Sequence, residues 1–230
     1  MEQIELAGPP VITILVRRTR QARRLSLRVS QLDGRITMSL PMRTPLREAK
    51  VFAHEKEGWI RGTLAKRPEV MRPVINGQVL FQGVDVDVVT GAGRVARFVD
   101  GKICVPDNPT RVLSRIAAFM KVTARERLSE ASDRYAAELG VSYGRLTLRD
   151  TRSRWGSCSS EGNLMYSWRL IMAPPEVLDY VAAHEVAHLI EMNHSARYWQ
   201  VVGGIYPQYA RPRAWLRQHG QQLHRVQFSD

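Results

Sequence analysis

The chain has 230 residues, of which 44% are hydrophobic and 24% are charged, so it can form one large or two small globular domains. It contains no run of about eighteen uncharged apolar residues, and its first residues lack the pattern of a secretory signal. We therefore expect a cytoplasmic protein with no membrane partner. Two cysteines, Cys104 and Cys158, are too few for a disulfide framework or a thiolate zinc knuckle, so any metal must be held mainly by histidine.

The net charge is +12, and most of it comes from arginines in three clusters, at residues 17–24, 149–155 and 211–220. A positive field of this kind favours polyanionic partners, and nucleic acid is the first candidate for the arginine-rich surface. A solvated surface explains the same charge equally well. No recognised nucleic-acid-binding module accompanies the clusters, so charge alone does not identify a function.

Short β-branched runs in the first part of the chain alternate with period two, which predicts a meander or hairpin sheet. The predicted strands are residues 11–19, 24–30 and 35–41. Residues 44–68 then have a Thr cap, a Pro at the first helical position and apolar residues at helical spacing, which predicts one helix. Period-two alternation returns at residues 78–91 and 94–106 and predicts a second group of strands.

The periodicity becomes helical at residues 107–140, and Gly140 suits the C-terminal end of this long helix. The remaining predicted elements are strands at residues 145–160 and 163–172, and helices at residues 173–192, 195–204 and 209–220. These patterns predict an α+β protein with a strand-rich N-terminal domain, residues 1–107, that contains one helix. A second domain, residues 108–230, follows it.

Residues 181–199, VAAHEVAHLIEMNHSARYW, contain three histidines and two glutamates in an otherwise apolar stretch that favours a helix. Positions i and i+4 lie on one helix face, so His184 and His188 can present ring nitrogens to one metal ion. In a helical HExxH site of this form, Glu185 is not a ligand but takes a proton from the metal-activated water. The motif therefore predicts a metal site with Glu185 as the general base.

A catalytic zinc ion needs three protein ligands and one open position. His194 is the best candidate for the third ligand because it follows the helix closely. The alternatives are Glu191, if its side chain turns inward, and three groups further along the chain, His219, His224 and Asp230.

The spacing of the last two histidines of the motif matches that of metzincins, but two features differ. Glu191 stands where metzincins have Gly, and no Met follows Met192 to form their Met-turn. We expect the helix to continue through Glu191 and to turn at Met192–Asn193, with Asn193 in the left-handed conformation. This turn would bring His194 back towards the ion, and Asn193 or Ser195 would cap the next helix.

Three segments, RSRWGSCSSEGN, WRLIMAPPEVLDYVAAHEVAHL and MNHSARYW, resemble the YgjP-like family of predicted zinc-dependent hydrolases, which is similar to the SprT-like zincin proteases. The resemblance extends over almost the whole chain. It implies a zincin-like metallohydrolase domain at residues 108–230 with an HExxH active-site helix. It also implies a bound Zn²⁺, with Glu185 as the general base and three ligands, His184, His188 and His194.

The same resemblance places WGSC, residues 155–158, on a strand that leads to the edge of the active-site cleft. It makes NLMYSW, residues 163–168, the strand along which an extended peptide aligns. Trp155 and Cys158 are expected to pack in the core, with Gly156 relieving a bend. Six side chains are candidate donors to a developing oxyanion: Tyr180, Tyr198, Tyr206, Tyr209, Arg169 and His219.

We predict a zinc-dependent hydrolase, in first place a metallopeptidase that cleaves a peptide or protein substrate with a zinc-activated water. One alternative is a metal-dependent hydrolase of nucleotide phosphate anhydrides, although the chain lacks a Gly-rich phosphate cradle and has few carboxylates for Mg²⁺. Another is a nucleic-acid-binding protein with a structural zinc. Such zinc sites usually close with four ligands and have no use for Glu185.

Overall fold

The computed structural model describes residues 2–30, 33–65 and 70–228, and the chain divides into two compact units, Met1–Glu69 and Val70–Asp230. Both units combine helices with β-sheet, so the protein has the mixed α+β fold that the sequence predicts. The domain boundary predicted between residues 107 and 108 lies inside the second unit, and as a limit of the catalytic domain it stays a prediction. None of the described helices is long and apolar enough to span a membrane.

The first unit contains a four-stranded sheet. Its strands are β1 (Gln3–Leu6), β2 (Ile12–Arg18), β3 (Ser26–Val29) and β4 (Ile36–Leu40), in the order β1-β2-β4-β3. Alternate residues of β2 and β4 are buried, because successive side chains of a strand point to opposite faces and one face covers a core. The three predicted strands are thus confirmed, and β1 is a fourth strand that the sequence analysis misses.

Two helices, α1 (Leu46–Glu55) and α2 (Glu57–Ala65), replace the single helix predicted at residues 44–68. The break falls at Lys56, which caps α1 with φ of −94° and ψ of 1°. Both helices bury apolar residues in the core of the first unit, as the helical spacing predicts. The end of the predicted helix, residues 66–68, lies outside the described residues.

The second unit begins with another four-stranded sheet. Its strands are β5 (Gln78–Phe81), β6 (Val84–Gly91), β7 (Arg97–Val99) and β8 (Lys102–Pro106), in the order β5-β6-β8-β7. This sheet confirms the second predicted group of strands. The long helix α3 (Val112–Leu139) follows and ends at Gly140, as predicted. Gly140 has φ of 66°, a left-handed conformation that glycine adopts without a Cβ clash.

A three-stranded sheet and the helices that follow it contain the candidate site. The strands are β9 (Leu146–Arg149), β10 (Gly156–Cys158) and β11 (Leu164–Ser167), and the helices are α4 (Pro175–Ala187), α5 (Ala196–Ile205) and α6 (Ala210–His219). Short 3₁₀ helices occupy Trp168–Met172 and Gly220–His224. Strand β11 lies in the middle of the sheet, parallel to β9 and antiparallel to β10. Helix α4 packs against β10 and against helices α3, α5 and α6.

Two predictions for this region are wrong: that residues 145–160 form a single strand, and that a peptide aligns along residues 163–168. Residues 145–160 form two strands, β9 and β10, which pair with opposite sides of β11 and do not continue as one strand. Because both sides of β11 are paired, residues 163–168 have no free edge along which a peptide could align. Among the described strands, the outer edges of this sheet belong to β10 and β9.

Candidate metal centre

Helix α4 carries the first histidine and the adjacent glutamate, and it ends sooner than the sequence predicts. His188 is already its C-cap. The amides of Leu189 and Ile190 bond to carbonyls three residues back, so the chain tightens into a turn and does not continue as a helix through Glu191. Asn193 is not among the described residues with positive φ, so the left-handed turn predicted there is also wrong.

Side-chain hydrogen bonds hold the loop between α4 and α5. Asn193 Nδ2 donates to the Glu191 carboxylate (2.6 Å), and Asn193 Oδ1 accepts from the Ser195 amide (2.9 Å). Ser195 is the N-cap of α5, one of the two caps that the sequence predicts, and its hydroxyl accepts from the Tyr198 amide (3.3 Å). This short, bonded loop carries His194 back beside α4.

The three histidines predicted as ligands lie together. One ring nitrogen each of His184, His188 and His194 falls within 4.8 Å of the others, and the Nε2 atoms of His184 and His194 are 3.1 Å apart. No fourth His, Cys, Asp or Glu joins this group among the residues that the structure describes. Three imidazoles without a fourth protein ligand have the composition of a metal site that keeps one position open.

Two neighbours hold the histidines in place. Nδ1 of His188 lies 3.0 Å from the backbone carbonyl of Glu191. Because a carbonyl only accepts, Nδ1 carries the proton and Nε2 keeps its lone pair for a metal. The buried Tyr198 hydroxyl donates to the backbone carbonyl of His184 (2.9 Å), and its ring stacks on His188 with 4.5 Å between centroids.

Burial keeps the rings of His184 and His188 neutral. It is the main cause that lowers the pKa of His184 to about 3, and the nearby rings of His188 and His194 lower that pKa further. Burial also lowers the pKa of His188. A histidine binds a metal only as neutral imidazole, so both rings are in the ligating form at neutral pH.

Glu185 is buried between α4 and the start of β10. It is 5% exposed, and a Cβ on Gly156 would lie 2.6 Å from its Cγ and 2.7 Å from its Cδ, closer than real atoms approach. Gly156 therefore makes room for the candidate base, a role that the sequence analysis does not assign to it. Burial raises the pKa of Glu185 to about 8, and the positive charge of Arg154 offsets part of that rise.

A cleft of about 240 Å³ opens beside these groups. Its lining residues are Arg154, Trp155, Gly156, Tyr180, Val181, His184, Glu185 and Leu216. Trp155 and Cys158 also pack against the hydrophobic core, as predicted. Two larger clefts, of about 460 and 450 Å³, lie elsewhere in the second unit and contain none of the three histidines. The reactive groups, and not the cavity size, therefore define the candidate site.

The six candidate oxyanion donors differ in their access to this cleft. Five of them are not among its lining residues: Tyr198, Tyr206, Tyr209, Arg169 and His219. The hydroxyls of Tyr198 and Tyr206 also donate to backbone carbonyls, and Arg169 is bound to a carboxylate and two carbonyls. Tyr180 does line the cleft, with its hydroxyl 3.5 Å from Nδ1 of His184.

Two arginines at the site are not singled out by the sequence analysis. Arg154 lines the cleft, and the guanidinium of Arg213 on α6 lies 4.4 Å above the Trp199 ring. The centroid of that ring is 6.0 Å from the ring centroids of His184 and His194. Both arginines belong to predicted charge clusters, but the sequence does not indicate which members of a cluster face the histidines.

The other candidates for the third ligand do not join the histidine group. The Glu191 carboxylate is bound within its own loop, as described above. His219 Nδ1 lies 2.8 Å from the Gln222 side-chain amide, and the His224 ring stacks on Trp155 with 4.9 Å between centroids. Asp230 lies outside the described residues.

The sequence model of the YgjP-like metallopeptidase domain matches residues 23–219, which is most of the chain. The chain belongs to the YgjP-like family. The YgjP-like protein therefore carries a metallopeptidase domain, a class that uses a divalent metal ion to cleave peptide bonds. Its three imidazoles, of which two are held neutral by burial, are a donor set that fits such an ion.

Two solved structures resemble part of the YgjP-like chain. The metallopeptidase zymogen of Pyrococcus abyssi abylysin is 17% identical with a TM-score of 0.37, over 40% of this chain and 95% of that one. The metallopeptidase zymogen of Methanocaldococcus jannaschii jannalysin is 13% identical with a TM-score of 0.35, over 41% of this chain and 96% of that one. No curated protein matches the chain.

Proposed function

We propose that the YgjP-like protein is a zinc metallopeptidase in which His184, His188 and His194 hold the ion and Glu185 is the general base. The main support is one observation: three imidazole nitrogens lie within 4.8 Å of one another, next to the buried carboxyl group of Glu185. The chain also belongs to a metallopeptidase family. The second unit would then contain a zincin-like catalytic domain with an HExxH helix, which follows a strand-rich N-terminal part in the sequence.

Zinc suits this donor set because imidazole is a common zinc ligand, and three protein ligands leave a position for water and substrate. When bound, zinc supplies a Lewis acid that lowers the pKa of water and polarises a carbonyl group. The hydrogen bond from His188 Nδ1 to the Glu191 carbonyl would keep the opposite nitrogen directed to the ion.

Glu185 would accept the proton of the attacking water and then deliver it to the leaving amine. Two opposing influences suit its carboxyl group to both steps. Burial against β10 favours the protonated form, so proton uptake is favourable there. The charge of Arg154 favours the carboxylate and offsets part of that effect. A bound cation would act on the carboxyl group in the same direction as Arg154.

The substrate backbone would align along the free edge of β10. An extended peptide gains main-chain hydrogen bonds by adding to the edge of a sheet, and β10 is an outer strand whose first residue touches Glu185. A peptide on this edge would pass directly by the base. This assignment replaces residues 163–168, which lie in the middle of the sheet.

Both alternative functions fit the site less well. Hydrolysis of nucleotide phosphate anhydrides needs oxygen ligands for Mg²⁺, whereas the group at this site consists of imidazoles. A structural zinc would need a fourth protein ligand, and none of the described residues joins the three histidines. A buried glutamate beside the group would also have no purpose in a purely structural site.

The metal content of variants tests the ligand set. The full-length protein should bind about one zinc per chain, and His194→Ala should lower that content because one of three ligands is lost. Zinc is measured by mass spectrometry after dialysis against a weak chelator. His219→Ala is the matched control and should keep its zinc, since His219 lies outside the group. Full zinc content in His194→Ala would remove His194 from the ligand set.

A further inference from the structure

The two segments that border the cleft are positively charged and contain no carboxylate. Residues 192–229 include five arginines and neither Asp nor Glu, and residues 151–160 include two arginines and neither Asp nor Glu. The first segment provides Leu216 on α6, and the second provides the residues at the start of β10. Glu185 is the one acidic residue among those that line the cleft. Positively charged segments on two sides of a cleft attract ligands of the opposite charge.

Arg154 stands at the β10 side of this cleft. It immediately precedes Trp155 and Gly156, and Gly156 is the residue against which Glu185 packs. The side chain is exposed, and among the described residues its guanidinium forms no ion pair with a carboxylate. Its charge still reaches the base, because it favours the ionised form of Glu185. Arg154 thus offers unused hydrogen-bond donors a short distance from the group that would carry out the chemistry.

Arg213 stands on the α6 side. It lies one helical turn before Leu216, so both residues lie on the same face of α6, and Leu216 lines the cleft. The guanidinium rests on the Trp199 ring, which is itself close to two of the histidines. Stacking on a ring occupies the flat face of a guanidinium and leaves its N–H edge free. No carboxylate of the described residues pairs with that edge.

We propose that the cleft selects peptides with a carboxylate close to the scissile bond, and that Arg154 and Arg213 are the specificity-determining residues. This inference rests on the proposed peptidase function. A guanidinium binds a carboxylate through two parallel N–H···O bonds, a geometry that a neutral amide cannot reproduce. The carboxylate comes either from an Asp or Glu side chain or from the C-terminus of the peptide.

An acidic peptide fits these residues better than a nucleic acid. Arg154 lines the cleft beside the base, and Arg213 lies on a ring whose centroid is 6.0 Å from those of two histidines, so an anion bound by them would lie close to the scissile bond. A peptide can supply that anion on its own chain within one or two residues of the bond. Phosphate contacts of a nucleic acid are typically spread along an extended basic surface.

The experiment compares matched peptides on the full-length, zinc-loaded protein. The substrates are pairs of internally quenched octapeptides in which the two members differ only by Glu or Gln at one position. That position is varied along the peptide from pair to pair. Each peptide is made with a free and with an amidated C-terminus. The wild type should show a kcat/KM about fivefold higher for the better Glu peptides than for their Gln partners, as expected for a partly exposed ion pair. A similar preference for free over amidated C-termini, with Glu and Gln peptides equal, would assign the carboxylate to the C-terminus of the peptide.

Variants then identify the residues responsible. The Glu-over-Gln ratio should fall below about twofold in Arg154→Gln or Arg213→Gln. Because the ratio is taken within one variant, changes in the chemical step cancel. Arg211→Gln is the matched control: it removes the same charge from α6 but lies about 200° around the helix from Arg213, so it should keep the preference. The inference would be overturned if the wild type showed equal kcat/KM for Glu and Gln peptides and also for free and amidated C-termini, or if its preference survived both variants.

Binding to Glu185→Gln separates this inference from the proposed function. In fluorescence anisotropy, labelled Glu peptides should bind this variant about fivefold more tightly than Gln peptides, whether or not the wild type hydrolyses them. If the wild type did not hydrolyse the peptides but Glu185→Gln still bound Glu peptides more tightly than Gln peptides, the peptidase function would be rejected and the carboxylate site would be retained. If neither the Glu side chain nor a free C-terminus strengthened binding, and a single-stranded oligonucleotide bound tightly, the carboxylate site would be rejected in favour of nucleic acid.

Discussion

At the scale of single residues, Glu185 occupies space that exists only because Gly156 has no side chain. Their contact joins α4 to the first residue of β10, so the candidate base and the strand edge that would hold a peptide are placed by the same packing. Protein interiors are close-packed, and even one added methyl group at such a contact forces a shift. The three atoms nearest to a Cβ at Gly156 all belong to Glu185.

Gly156→Ala tests this contact. The added Cβ should displace the Glu185 carboxylate, lower kcat at least about tenfold and reduce stability by about 1–3 kcal/mol, while zinc content stays near one per chain. Steady-state kinetics, metal analysis and chemical unfolding measure the three effects. Gly204→Ala on α5 is the control, because nothing lies within 4 Å of a Cβ there. Full activity in Gly156→Ala would contradict the placement of Glu185.

The histidines of the motif could be found from the sequence, whereas their surroundings could not. Spacing i, i+4 on an apolar helix depends only on local geometry, so His184 and His188 stand out before any tertiary structure is known. Arg154 and Gly156 matter because a distant helix packs against their strand. This packing is a tertiary contact, and local patterns in a single sequence do not predict such contacts.

At the scale of elements, a buried arginine connects the β9–β10 loop to the end of the chain. Arg169 is 9% exposed, binds Asp150 through Nε (2.6 Å) and a second nitrogen (3.1 Å), and donates to the carbonyls of Leu223 and Val226. This C-terminal segment also carries a histidine that stacks on a tryptophan lining the cleft. The interactions of Arg169 therefore hold in place the C-terminal segment that packs against Trp155, a residue that lines the cleft.

The Asp150–Arg169 pair makes stability depend on pH. Burial alone would raise the pKa of Asp150, but hydrogen bonds and charge from Arg169 outweigh it and lower that pKa. The stabilisation is therefore present above the unfolded pKa of about 3.9 and is lost as pH falls through the lower native value.

Asp150→Asn should cost about 1 kcal/mol at pH 7, a modest figure because half of the Asp150 side chain is exposed and water screens the pair. Denaturant unfolding at pH 7 and near pH 2 measures the difference, which should shrink at acid pH as the wild-type carboxyl becomes protonated. Asp85→Asn, an exposed position on β6, serves as the control and should be neutral. If Asp150→Asn lowered the free energy of unfolding equally at both pH values, the charge of Asp150 would not be the source of the loss.

Element types were predicted better than their ends and their pairing. Period-two and helical spacing identify most strands and helices, because side-chain periodicity is set locally. The end of α4 at His188, the break at Lys56 and the central position of β11 were missed. The central position of β11 depends on its pairing with both β9 and β10, which side-chain periodicity does not specify.

At the scale of the whole molecule, part of the net charge of +12 comes from the arginine cluster at residues 17–24, in the first unit. Part of the first cluster is structural: Arg18 pairs with Glu2 and donates to the backbone carbonyls of Met42 and Thr44. Four other arginines of this cluster are exposed: Arg17, Arg20, Arg23 and Arg24. These four side chains are the part of the cluster that is accessible to a polyanion such as nucleic acid.

Changing these four exposed arginines together to Gln tests nucleic-acid binding. The wild type should bind duplex DNA at low salt with a log-log slope of about −0.9 per phosphate neutralised, and the variant should bind more weakly with a shallower slope. Little sequence preference is expected, because no base-reading motif accompanies the charge. Filter binding over a salt series measures both quantities. If the wild type did not bind DNA or RNA at low salt, these arginines would form a solvated surface and not a nucleic-acid-binding site.

The measurement that tests the account most directly is peptide hydrolysis by Glu185→Gln, made together with its zinc content. An amide fills the same space as the carboxylate but cannot accept a proton from water, so the variant should keep about one zinc per chain and lose at least about a hundredfold in kcat. Glu191→Gln, the other glutamate of the segment, should retain near wild-type turnover, because it lies outside the metal-binding group and its amide oxygen can still accept the hydrogen bond from Asn193. Glu185→Gln with full zinc and undiminished turnover would contradict the assignment of Glu185 as the general base.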